Sequence, residues 1–175
     1  DTTKHVLTRW IDKTSRSSEE KEILLADIKA GLGFSPLTGF VVALGIYDVE
    51  REKGVVYYVG NGNEKDEVFG QYTFKQRSEE NILREFWEGV RDYNTFVTFN
   101  GRGFDAPFLM HRSVVLGVKP TKNLLEGRFP SQQKSCRHVD LQDELTFFGA
   151  MQRKPSLHLF CRAYGIESPK NEVGG

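Results

Sequence analysis

Apolar positions recur at helical spacing in two stretches near the N-terminus. In residues 2–14, Val6, Leu7, Trp10 and Ile11 share one stripe, with polar residues between them. Ser17 followed by Glu20 has the form of a capping box and predicts a second helix over about residues 18–30. There Leu24, Leu25, Ile28 and Leu32 keep the helical period, Gly31 and Gly33 supply stop signals, and Pro36 forbids continuation.

The period changes at residue 40. Phe40–Tyr47 is an unbroken apolar run rich in Val, bounded by Gly39 and Asp48, and predicts a buried strand. Asp48–Gly54 is charged and ends in Gly, as a hairpin connection does, and Val55–Val59 is the return strand. Asn61-Gly62-Asn63 is a turn cluster, and Val68–Phe74 reads as a third strand. Ser78 with Glu79 and Glu80 opens a helix: a cap, then acids near the positive end. Ile82, Leu83, Phe86, Trp87 and Val90 form its buried stripe. Thr95–Phe99 is a short strand, Asn100–Asp105 a glycine-containing loop, and Pro107 the start of another helix. Residues 117–137 are polar and irregular, a length that predicts a functional or mobile loop. Val139–Phe148 and Ser156–Tyr164 read as two more helical segments.

Three strands able to pair as a meander, then a helix, a strand and more helices, predict an α/β or α+β layered domain. No repeat and no linker interrupts it, and 175 residues suffice for one domain with a sizeable core. Thirteen Phe residues mean that much of this core is aromatic.

Charge narrows the function. Lys plus Arg equals Asp plus Glu, 24 each, which argues against coating nucleic acid by bulk charge but leaves room for a local basic groove beside an acidic site. Lys119, Lys122, Arg128, Lys134 and Arg137 dot the 117–137 loop, either to steer a phosphate backbone or as a solvated surface. No apolar run approaches the roughly 18–20 residues of a membrane span, so no membrane partner is expected. Cys136 and Cys161 have no CxxC spacing and read as two reduced thiols of a cytoplasmic protein. His111, His138 and His158 share no metal-ligand spacing and are expected to serve packing or surface roles; Tyr164 reads as a core aromatic.

The chemistry concentrates in Phe96-Val-Thr-Phe-Asn100-Gly-Arg-Gly-Phe104-Asp105-Ala-Pro107-Phe-Leu-Met-His-Arg112. An apolar strand ends at an Asn, two glycines allow a sharp turn, and an aromatic and a carboxylate follow at a helix start. An ordinary Asp in that position is an N-cap worth roughly 1 kcal/mol, and an ordinary Asn a turn former. Over its whole length, however, the string resembles the second carboxylate motif of the DEDD superfamily of 3′–5′ exonucleases. It is most similar to the proofreading exonuclease of family B DNA polymerases and related free-standing exonucleases. His138-Val-Asp140-Leu, the run from Ser156 to Lys170, and Pro36–Gly45 resemble further segments of the same group, so the resemblance covers about residues 35–175.

The resemblance implies an α/β, ribonuclease-H-like fold: a mixed sheet flanked by helices, with residues 1–34 a helical insertion and 35–175 the ribonuclease-H-like region of a single domain. It implies a metal-dependent 3′–5′ exonuclease that hydrolyses phosphodiester bonds at a DNA or RNA 3′ end. Asp105 would be the catalytic, metal-binding carboxylate for Mg²⁺ or Mn²⁺. Asn100, Arg102 and Phe104 would contact the nucleic acid or hold the turn, Phe104 by packing under the site. The family's first motif, Asp-x-Glu, and its last Asp are not recognisable. Asp27-Ile28-Lys29 has Lys where Glu is required, and its surroundings read as helix, so the first motif is expected upstream of Asp1. Tyr164 has no Asp following at a suitable distance, and Asp143 and Glu144 read as a solvated helix face. The loss of these carboxylates leaves a second expectation open, a catalytically inactive nucleic-acid-binding or interaction module on the same fold. With the first strand missing, the strands at 40–47 and 95–99 are expected to lack their shared neighbour.

Overall fold

The computed structural model describes residues 17–60 and 62–169. The helix expected over residues 2–14 lies outside them. The described chain opens with helix α1 (Ser18–Gly31). Its capping box forms as its spacing predicts: Glu20 N donates to Ser17 Oγ at 3.1 Å and Ser17 N to the Glu20 carboxylate at 3.2 Å. A short 3₁₀ turn, Leu32–Phe34, follows.

Next come β1 (Ala43–Asp48) and β2 (Lys53–Tyr58), an antiparallel pair joined by the charged connection. The expected third strand over Val68–Phe74 is instead a hairpin of β3 (Lys65–Phe69) and β4 (Tyr72–Gln76). Gly70, at φ 58°, makes the turn inside what reads as one β-rich run. The expected meander is therefore not formed. β4 rather than β3 lies against β2, in parallel, and the sheet order is β1-β2-β4-β3.

Helix α2 (Glu79–Gly89) starts at Ser78, whose hydroxyl accepts from Asn81 N at 3.3 Å. Its stripe of Ile82, Leu83, Phe86 and Trp87 is buried. Strand β5 (Thr95–Thr98) leads into α3 (Asp105–Val115), which packs beside α2. The buried Trp87 indole donates to Ser113 Oγ at 2.8 Å, and that hydroxyl donates to Leu109 O at 2.7 Å. The core lies between these two helices and the inner faces of β1 and β2.

The helix expected over Val139–Phe148 is a strand followed by a short helix: β6 (Arg137–Asp140), then α4 (Leu141–Leu145). β6 pairs with β5 in parallel, so tertiary pairing overrides the local pattern there. Helix α5 (Leu157–Ala163) closes the described chain.

The 117–137 loop is held by one carboxylate. Glu126 Oε2 accepts from Lys134 N, Ser135 N, Ser135 Oγ and Cys136 N at 2.8–3.3 Å. These bonds, those to Ser135 first, hold the Glu126 carboxyl below its ordinary pKa.

The architecture is α/β, a mixed four-stranded sheet flanked by helices, consistent with a ribonuclease-H-like fold. β5 and β6 form a separate two-stranded sheet, so β1 and β5 do lack a shared neighbour among the described residues.

Candidate functional site

Strands β5 and β6 run in parallel with Thr98 opposite Asp140, so both chains leave the small sheet at the same end. Asp140 is only 4% exposed. It caps α4 by accepting from Gln142 N at 3.0 Å and also accepts from Asn100 N at 2.8 Å and Arg102 N at 2.9 Å. A buried carboxylate is costly unless such donors surround it. Here they pin the loop after β5 to the end of β6.

The loop needs its particular residues. Asn100 has φ 60°, a region that Asn tolerates better than most side chains. A Cβ on Gly101 would stand 2.3 Å from Thr98 Oγ1, and one on Gly103 would stand 2.4 Å from Asn100 Oδ1. Asn100 O accepts from both Gly103 N and Phe104 N at 3.0 Å, closing the turn.

This turn delivers Asp105 as the first residue of α3. The N-cap position is Phe104, which makes no side-chain cap bond. Asp105 is thus the first helical residue rather than the N-cap, and its carboxyl lies against its own backbone N–H. It lies at the junction of two clefts. One, of about 240 Å³, runs between Leu44–Tyr47 of β1 and Thr95–Thr98 of β5, over Phe86 and Leu109. The other, of about 260 Å³, is lined by Phe34, Val42, Phe104 and Phe108. The residue as a whole is exposed, but its carboxyl is partly walled by both clefts. That desolvation raises its pKa, and the neighbouring Asp140 charge pushes the same way.

The other expected site residues come together around it. Phe104 is 40% exposed, with its ring 6.3 Å from Phe34 and 5.6 Å from Phe108. Arg102 extends one guanidinium N–H to Leu124 O at 3.2 Å, which ties it to the long loop. His138 is buried, with Nδ1 2.8 Å from Leu124 O and Nε2 2.8 Å from Thr98 Oγ1. A carbonyl only accepts, so Nδ1 carries the proton there. This is the expected packing role. Asp143 pairs with Arg128, one of the loop's basic residues.

Arg112, the last fixed residue of the motif, serves the fold. Its guanidinium clasps both Glu79 oxygens, at 2.8 and 2.7 Å, and donates to Pro36 O at 3.3 Å. Glu79 also accepts from Val41 N at 2.8 Å. Sequence reasoning assigned Glu79 only to the helix start. A partner 33 positions away leaves no local signal.

Asp140 is held as a helix cap rather than offered beside Asp105. Both Asp140 oxygens are taken by backbone N–H groups, and among the described residues no group of three or more His, Cys, Asp or Glu could hold a metal ion. Asp27 and Lys29 fall within α1. The described donors therefore do not fit a two-metal site.

Residues 55–174 match the family described as predicted 3′–5′ exonucleases related to the exonuclease domain of PolB. No curated protein matches the chain.

Proposed function

The chain belongs to this family of predicted 3′–5′ exonucleases related to the exonuclease domain of PolB, and we propose that it hydrolyses phosphodiester bonds at the 3′ end of a nucleic-acid strand. The observation that carries this reading is Asp105: a carboxylate at the first position of α3, set at a cleft mouth by a turn pinned on a buried Asp140. Its raised pKa suits it to take a proton from an attacking water. Phe104 and Phe34 offer exposed rings beside it, a surface on which terminal bases stack without regard to sequence. Asn100 and Arg102 shape the turn beneath that surface. The family suggests a divalent metal ion, for which Asp105 alone of the described residues is placed as a ligand.

One observation favours a second reading. Among the described residues Asp105 has no partner carboxylates for a metal ion, which suits a module that binds nucleic acid without cutting it. A 5′-labelled single-stranded oligonucleotide, incubated with the chain and Mn²⁺ beside the Asp105→Ala variant, separates the two. A ladder shortening from the 3′ end and lost in the variant supports the exonuclease. Binding without cleavage, unchanged by Asp105→Asn, supports the module.

A further inference from the structure

The 117–137 loop is built into the core rather than laid over it. Val118, Leu124 and Cys136 are each no more than 5% exposed. Its second half is stapled by Glu126 and again by Gln133. The Gln133 amide donates to Gly127 O at 2.9 Å and to His138 O at 3.1 Å, and its carbonyl accepts from His138 N at 2.9 Å. One side chain of the loop thus grips both backbone polar groups of His138, and the ring has a fixed base.

One carbonyl of the same loop, Leu124 O, reaches the turn before Asp105 by two routes. The direct route is the Arg102 guanidinium, at 3.2 Å. The indirect route runs through His138. Its Nδ1–H donates to Leu124 O at 2.8 Å, which leaves Nε2 bare to accept the Thr98 hydroxyl at 2.8 Å. That bond holds the Thr98 side chain in one rotamer, and Gly101 rests directly on it. A Cβ on Gly101 would overlap Thr98 Oγ1 and stand 2.6 Å from Thr98 Cβ. Gly101 O in turn accepts from Ala106 N at 2.7 Å, at the first turn of α3 and next to Asp105. Thr98, Leu124, His138 and Asp105 all line one cleft.

We propose that His138 is a positioning residue of this site: it carries the Leu124 carbonyl of a braced loop to Thr98 and, through the Gly101 backbone, fixes where Asp105 stands. Asp140 holds the amides of Asn100 and Arg102, and His138 governs Gly101 between them. The loop is then a brace for the turn rather than a lid over it. The effect on rate rests on the exonuclease reading, whereas the effect on the turn does not.

The test compares Thr98→Val, which keeps the branched shape but removes the donor, with Thr98→Ser, which keeps the donor. In ¹H–¹⁵N spectra of the full chain the amide signals of Gly101, Arg102 and Gly103 are expected to move in Thr98→Val and to stay near their original places in Thr98→Ser. Shortening of a 5′-labelled oligonucleotide should lose about tenfold or more in kcat in Thr98→Val, with KM little changed, as for a displaced catalytic group. Thr98→Ser should restore kcat to within about twofold, because the hydroxyl can still donate to Nε2. Unmoved signals in Thr98→Val, or equal losses in both variants, would overturn the proposal. Moved signals with no cleavage by any form, the unmodified chain included, would sink the exonuclease reading and leave the brace standing. Should Thr98→Val not fold, the ring ¹⁵N signals of His138 in the unmodified chain decide. A proton on Nδ1 with Nε2 bare is expected, and a proton on Nε2 alone sinks the idea.

Discussion

At the last turn of α3 the Arg112 guanidinium lies between the two Glu79 oxygens and the Pro36 carbonyl. The two side chains of the pair are only 11% and 14% exposed. Residues 36–41, α2 and α3 are joined there into one block. At the first turn of the same helix Asp105 pairs with no charged side chain among the described residues, faces two clefts and carries a raised pKa. One motif therefore contains a residue whose charge is consumed in holding the fold and another whose charge is left available. The difference shows how a short motif can be read. Residues whose charge is taken up by partners within the fold position the site, and the carboxylate facing the clefts is the candidate for chemistry.

The comparison breaks most sharply in activity. Asp105→Ala is expected to reduce 3′-end shortening by roughly 10²–10⁴-fold, the range for loss of a group that moves a proton in the transition state. Tm should change little, because burial already works against the charged carboxyl. A variant that unfolds instead would show that the first turn is structural after all. Arg112→Ala should act in the opposite sense. It leaves the Glu79 carboxylate largely buried without its partner and should cost about 3 kcal/mol in a denaturant titration, while the folded fraction still cleaves.

Asp140→Asn tests the link between the two ends. The amide can accept through only one oxygen and turns an N–H₂ toward a backbone donor. A loss of about 2 kcal/mol in stability is expected, with a smaller fall in cleavage than Asp105→Ala gives. Phe104→Leu should weaken binding of a single-stranded oligonucleotide by about 1 kcal/mol, roughly fivefold, measured by fluorescence anisotropy.

The smallest effect concerns pH. The folded-state pKa of Asp105 is raised, so the folded chain holds that proton more tightly than the unfolded one does. The stabilisation this gives is complete below the ordinary aspartate pKa of about 3.9. It is lost as pH rises through the folded value. Asp105→Asn stays neutral throughout. It should match the unmodified chain in Tm at the acid end and exceed it slightly at neutral pH, where solvent around the exposed residue limits the gain.

Local signals were legible where one segment carries its own information. The Ser17–Glu20 box, the Ser78 cap with its Ile82–Trp87 stripe, and the turn from Asn100 to Asp105 all depend on residues a few positions apart. β6 was not legible, because Arg137–Asp140 becomes a strand only by lying beside β5, whose residues Thr95–Thr98 come far earlier in the chain. Nor was the β3–β4 hairpin. Val68–Phe74 is β-rich throughout, and only the left-handed Gly70 divides it.

The sequence by itself determined the family, the turn with its two obligatory glycines, and Asp105 as the residue to watch. All of these lie in one continuous stretch whose sterics are local. Tertiary structure alone decided that Asp140 holds this turn from beneath, that Glu79 clasps Arg112, and that a cleft runs between the two sheets. These rest on hydrogen bonds and pairings between distant segments, and only the folded chain sets those distances.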